Sequence, residues 1–315
     1  MQIAIPLGLG VFLIWYVYQS FSPQQLAETQ KYFADANYGF VLLSVIFSVL
    51  SHLSRSYRWN FMLDPLGYKT KLANNFMAIS VAYLMNVFIP KSGEVSRGII
   101  LDKYEGVPFQ KGFGTIISER VVDLIFLLIF TIAALIIKFD ALYGYVIESI
   151  PKSALYVLVI GIIAALIMIP LYIKFSKSNI NKKLKDFVIG LKEGVFSILK
   201  MRRKGAFIFH TFIIWGLYLL SFYTALHALP ETANIPFGTI IITFVVGSFT
   251  FAFTNSGFGT YPAAVAGILS VFGIAKTVGV AFGWIVWISN MSSIVLFGVL
   301  SLVLLPIYNR KRLKL

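Results

Sequence analysis

The sequence predicts an all-α polytopic membrane protein with about six full transmembrane helices, two re-entrant helical hairpins and an inverted repeat. Three observations lead there. The 315-residue chain is 58% hydrophobic and only 13% charged, where soluble domains carry about 25% charged residues. Its apolar residues fall in runs of transmembrane length. Its 27 Lys and Arg gather in short clusters beside those runs, the pattern of cytoplasmic loops.

Composition also excludes several classes. A net charge of +14 alone would fit a nucleic-acid binder. The cations flank apolar runs, however, so they point to an anionic membrane surface, and no nucleic-acid partner is expected. Cysteine is absent, which removes a disulfide framework, a thiolate metal site and a cysteine nucleophile. His52, His210 and His227 are too scattered to ligate a metal. No nucleophile elbow, P-loop, zinc motif or dinucleotide fingerprint occurs. The chain is read as a non-enzyme with no metal and no cofactor. The run 3–21 lacks a basic leader and a small-residue cleavage site, so it reads as a retained first helix.

A helix needs about 20 apolar residues to span the hydrocarbon. Candidate segments are 3–18, 38–53, 72–89, 112–137, 153–173, 206–229, 235–253, 261–274 and 278–307. Loop charges then decide their orientation. The stretch 55–71 sums to +3, the stretch 174–204 to +8 and the tail from Arg310 to +4. All three belong in the cytoplasm. Simple alternation puts the +8 segment outside. The conflict disappears if 72–104 dips in from the cytoplasm and returns, and 235–274 does the same from outside. Both termini are then cytoplasmic. The chain becomes one membrane domain with halves 1–152 and 153–315, each reading span, span, hairpin, span in opposite orientation. That is a transporter-like inverted repeat, in which sites lie where helices break. Within 174–204, Leu184, Phe187, Val188, Leu191, Val195, Ile198 and Leu199 recur at helical spacing among lysines. This predicts an amphipathic helix on the anionic inner leaflet.

Four features carry polar chemistry. In the first break, Pro90 ends a helix, Gly93 loosens the turn, Ser92 is placed to cap the next helix, and Glu94 and Arg97 follow within its first turns. Glu119, Arg120 and Asp123 interrupt an apolar helix. Glu119 and Asp123 share a face and Arg120 lies about 100° away. An ion in mid-membrane costs roughly 3 kcal/mol or more, so such groups pair or line a wet cavity. Arg55 and Arg58 precede Trp59 at the end of the second span, where they read as interface anchors or contacts to a lipid phosphate. In the second break, Gly257, Gly259 and Pro262 favour irregular backbone, while Asn255, Ser256 and Thr260 offer neutral donors. Irregular backbone at depth is tolerated only inside protein or facing water.

Together these motifs resemble the lysylphosphatidylglycerol synthetase transmembrane family, the flippase-like membrane domain family. The resemblance rests on Pro90-x-x-Gly93-Glu94-x-x-Arg97, Glu119-Arg120-x-x-Asp123, Ser256-Gly257-Phe258-Gly259 and Arg55-x-x-Arg58-Trp59, in order over nearly the whole chain. It implies a membrane part that moves aminoacylated phosphatidylglycerol between leaflets or accompanies glycolipid and polyprenyl-phosphate pathways. The synthetase carries a soluble aminoacyl-transferase domain after this part. None follows before Leu315, so the chain is expected not to be the synthetase. The family's Gly-Gly-x-Gly is Ser256-Gly257-Phe258-Gly259 here, and its following acid falls at Pro262, which weakens the expectation of a cationic head group. The expected function is a lipid translocator of the cytoplasmic membrane with a midplane polar pocket. Arg97 and Arg120 would hold a phosphate, and Glu94, Glu119 and Asp123 would orient them. The alternatives are a scaffold for an envelope lipid or glycan enzyme, and an intramembrane lipid-modifying enzyme using Glu119 and Asp123.

Overall fold

The computed structural model describes residues 4–137, 201–254 and 256–310. Every regular element among them is helical: α1 (Ala4–Ser20), α2 (Pro23–Asp35), α3 (Tyr38–Leu63, followed by the single 3-10 turn Asp64–Leu66), α4 (Leu72–Phe88), α5 (Ser92–Glu105), α6 (Phe109–Ile137), α7 (Lys204–Leu226), α8 (Pro230–Ala233), α9 (Phe237–Phe253), α10 (Thr260–Val271) and α11 (Lys276–Tyr308). Among these, α3, α6, α7 and α11 are long and apolar enough to cross a membrane. The predicted span 153–173 and all of the basic stretch 174–204 before Met201 lie outside the described residues.

Cross-helix hydrogen bonds fix the directions. Ser221 donates to the Ser44 carbonyl (2.7 Å), and Ser54 meets His210 Nδ1 (2.9 Å), so α3 and α7 run antiparallel. Trp59 Nε1 donates to Thr115 (2.9 Å) and Lys111 to Tyr68 (3.4 Å). The start of α6 therefore sits beside the end of α3. The α4–α5 pair between them leaves and returns at this one end. Glu105, which closes α5, accepts from Asn74 Nδ2 and from the Lys71 N–H (3.1 Å) at the start of α4. The side-chain amides of Asn74 and Asn309 donate to each other (2.9 and 2.8 Å), so α11 also ends here. At the opposite end the Asn37 N–H donates to the Ala228 carbonyl (2.8 Å). There α7 finishes, α11 begins, and α9–α10 leaves and returns.

The bundle is apolar outside, and within its largely apolar core it buries a cluster of ions. On α6, Glu119 is 0% exposed while Ile136 is 75% exposed. With hydrocarbon outside, close packing replaces the hydrophobic drive and small residues let backbones meet. A Cβ on Gly93 would overlap the Ala82 carbonyl oxygen and the Asn86 amide of α4, and one on Gly283 would lie 2.7 Å from Pro262 Cα of α10.

Two sequence expectations need correction, and one further helix joins the predicted spans. α3 does not stop near residue 53; it runs to Leu63, because Arg55 and Arg58 are paired inside the bundle and need no exit to water. Ser92 is not the cap of α5. Lys91 is, with φ +63°, and the Ser92 hydroxyl bonds back to the Met85 and Ile89 carbonyls of the preceding helix (3.0 and 2.7 Å). Between the first two candidate spans, Pro23–Asp35 is also a helix. Its signal is Ser22-Pro23-x-Gln25, in which Ser22 and Gln25 cap each other reciprocally (2.9 and 3.2 Å), as in other capping boxes.

Gly283→Leu is expected to destabilise the fold by about 2–3 kcal/mol through overpacking. Gly216→Ala, where nothing lies within 4 Å of the added carbon, should be neutral or slightly stabilising. Thermal unfolding in mild detergent, followed by size-exclusion fluorescence, checks the contrast.

Candidate functional site

Seven charged side chains from three helices meet in one network. α3 brings Arg55 and Arg58, three positions apart on one face; α6 brings Glu119 and Asp123, four apart. The two helices are antiparallel, so the faces oppose. Arg55 Nη1 pairs with both Glu119 and Asp123 (2.5 Å each), and Arg58 Nη2 with Asp123 at 3.2 Å and Glu119 at 3.5 Å. From α5, Arg97 pairs with Glu119 at 2.8 Å. Arg120 points the other way, to Glu94 at 3.1 Å and Asp123 at 3.7 Å.

Aromatic and hydroxyl groups hold the arginines in place. The Arg97 guanidinium lies 3.6 Å from the Trp59 ring centre, and Arg58 lies 5.0 Å from that of Phe207. Arg58 Nη1 donates to Thr211 (2.8 Å), and Arg55 Nη2 reaches the Tyr218 hydroxyl at 3.5 Å. His52 packs between Tyr83 and Tyr218, with ring centres 4.6 and 6.2 Å away. Five bonding atoms buried in the network have no partner: the Nε of Arg55, Arg58, Arg97 and Arg120, and Glu94 Oε2.

The network opens on one side. Side-chain exposure is 0% for Glu119 and Arg58 but 13%, 22% and 40% for Asp123, Glu94 and Arg120. Its depth follows from helix rise. Glu119 lies about 15 Å from the start of α6 and Arg55 about 12 Å from the end of α3, roughly a third of the way along each helix.

Of the predicted site residues, Arg55, Arg58, Glu94, Arg97, Glu119, Arg120 and Asp123 thus come together. Arg55 and Arg58 are 3% and 0% exposed, inside the bundle rather than at a span end. Pro90 and Gly93 form the break between α4 and α5. Ser256 and Thr260 belong to the second break, whose described polar bonds stay within the second half of the chain. The Ser256 carbonyl accepts from Trp287 Nε1 (2.9 Å), and the hydroxyls of Thr254 and Thr260 meet at 2.9 Å. Ser256, Gly257 and Gly259 take positive φ, and Pro262 is buried in the first turn of α10. Asn255 lies outside the described residues. Sequence reasoning missed His52, Thr115, Thr211, Tyr83 and Tyr218. Their partners sit far away in the chain, and no local pattern marks them. No metal-holding group of His, Asp and Glu occurs among the described residues.

Residues 3–298 match the model of the family described as the lysylphosphatidylglycerol synthase TM region. The chain belongs to this family. It is therefore an integral multi-pass membrane protein. It is also similar to three archaeal UPF0104 membrane proteins. One, MJ1078 of Methanocaldococcus jannaschii, is 30% identical over 68% of this chain and 91% of its own length. PH1989 of Pyrococcus horikoshii is 22% identical over 70% and 71%. MJ1595 of Methanocaldococcus jannaschii is 31% identical over 32% of this chain, and that match spans 31% of the relative's length. No solved structure matches the chain.

Breaking a buried ion pair by removing one partner costs about 3–5 kcal/mol. Glu119→Gln strips three arginines of a shared partner and is expected to fall in that range, whereas Arg120→Gln, 40% exposed, should cost under about 1 kcal/mol. Comparing the two unfolding midpoints in detergent checks the ranking.

Proposed function

We propose that this protein is a lipid translocator of the cytoplasmic membrane, which passes the head group of a phospholipid or lipid-linked precursor through a polar pocket at mid-depth while the acyl chains stay in the bilayer. The observation that carries the reading is the seven-residue ion network, buried inside an apolar-surfaced bundle and open along Arg120 and Glu94. A purely structural bridge would need fewer charges, and intramembrane ions commonly mark a substrate path.

The helix pairs support the reading. α4–α5 and α9–α10 each return to the end they leave, as re-entrant hairpins do. Their members, with 17, 14, 17 and 12 residues, are about 18–26 Å long and shorter than the hydrocarbon is thick. Helix contacts also map onto one another when the two halves are exchanged. α3 against α7 maps to itself, α4 against α11 to α9 against α6, and α5 against α6 to α10 against α11. This favours an inverted repeat. The positive-φ residues Lys91 and Gly259 occupy equivalent places, each just before the returning helix. With the basic segments in the cytoplasm, as loop charge requires, α4–α5 enters from the cytoplasm, α9–α10 from outside, and both termini are cytoplasmic. Anionic phospholipids of the inner leaflet are the natural partners, and transport rather than chemistry is the activity.

In proteoliposomes with a fluorescent phospholipid and an impermeant quencher, the wild type should speed transbilayer movement well above protein-free vesicles, and Arg120→Ala should cut that gain about tenfold, roughly 1.4 kcal/mol. Wild-type protein that moves no phospholipid or lipid-linked precursor would overturn the reading. Topology has its own test. A cysteine at Ser92 should react with an impermeant reagent only from the cytoplasmic side, and one at Ser256 only from outside.

A further inference from the structure

We infer that the head group this site accepts carries one net negative charge, a phosphodiester without a cationic amine. The inference rests on the site being the head-group pocket proposed above, and it names the substrate class. Four guanidinium groups face three carboxylates within the network, which leaves one positive charge uncompensated among the described residues. The excess lies inside. Arg55, Arg58 and Arg97 share only Glu119 and Asp123, while Arg120 and Glu94 form a neutral pair at the mouth. An uncompensated ion in low dielectric is costly, and a monoanion brings the whole network to neutrality.

The mouth provides the contact. Arg120 is the most exposed of the four arginines, at 40%, and its Nε has no partner. A phosphodiester offers two non-bridging oxygens that match the guanidinium fork. Neither helix break offers a cationic head group a carboxylate other than Glu94. Lys91, exposed on the break beside α5, is itself positive. The second break carries no ionisable carboxylate, because residues 232–275 contain no charged side chain. The buried Pro262 stands at the start of α10. An amine would have only Glu94 and Asp123, both already paired with arginines. A zwitterionic lipid would leave the excess charge in place.

The test is binding of defined lipids to the full-length protein in neutral detergent micelles, read by native mass spectrometry and by tryptophan fluorescence at about 150 mM salt, where exposed charges are screened. Phosphatidylglycerol should bind about tenfold tighter than phosphatidylethanolamine, a difference of roughly 1.4 kcal/mol. Arg120→Gln, which brings the network to neutrality, should erase the preference. Glu94→Gln, which raises it to two positive charges, should shift the preference toward dianionic phosphatidic acid. Opposite shifts in two variants of neighbouring residues are not produced by misfolding. Equal affinity for the two phospholipids, or tighter binding of an aminoacylated phosphatidylglycerol, would overturn the inference. Inorganic phosphate or glycerophosphate competing at lipid-like affinity would also overturn it, since the site would then take a soluble anion. Transport in the same membranes separates the two claims. Phosphatidylglycerol and phosphatidylethanolamine moved alike would sink the charge selectivity and leave the translocator standing. Selective binding with no movement of any lipid would do the reverse.

Discussion

One carboxylate organises the first half of the molecule. Glu119 of α6 accepts from Arg97 of α5 and Arg55 of α3, with Arg58 of α3 a little further off. Each of these ions would be costly alone in hydrocarbon, so the three helices fold to the depth at which they meet. That depth also places the helix break. Arg97 lies about 7–8 Å along α5 from Ser92, and fixing Arg97 against Glu119 and Trp59 sets where the Pro90–Gly93 turn falls. α5 packs back along α4 and so delivers Arg97 to Glu119.

The rest of the architecture accommodates that requirement. Glu105, Asn74 and Asn309 tie the base of α4–α5 to the last turn of α11, and the Asn37–Ala228 bond closes the other end. Between the two, glycines let the short helices lie close to the long ones. The halves share a contact pattern but not a chemistry. The first break leads through Glu94 and Arg97 into a network of seven ions. The second is neutral and aromatic, with Trp284 and Trp287 edge to face at 5.4 Å. A head group crossing such a molecule would meet its charge partners on one side only, which gives the substrate's own charge an unusual weight in selection.

Much of this was legible in the sequence, and the failures have physical causes. Helix positions at 72–88, 237–253 and 276–308 follow directly from apolar runs ended by Pro90, by the glycines after residue 256 and by the basic tail. Glu119, Arg120 and Asp123 stood out because no other charged residue occurs from Gly112 to Ile137. Arg55 and Arg58 were harder. A pair of arginines near Trp59 reads as an interface anchor unless one knows that two carboxylates, more than 60 residues later, face them across an antiparallel contact. Ser92 had the right chemistry for a cap, but the tight return brings the Met85 and Ile89 carbonyls within its reach first. The wall of His52, Tyr83 and Tyr218 has no local signature at all, since only the packing of α3, α4 and α7 assembles it.

The central claim is that this network serves lipid movement rather than stability, and one measurement addresses it most directly. Replacing a whole buried ion cluster with apolar residues of similar volume is often neutral or stabilising. The variant with Arg55, Arg58, Arg97 and Arg120 changed to Met and Glu94, Glu119 and Asp123 changed to Leu should be purified and reconstituted, and its lipid translocation measured beside its thermal stability. The account predicts a folded protein at least as stable as the wild type that moves no lipid. A variant that fails to fold, or one that folds and still moves lipid at the wild-type rate, would contradict it.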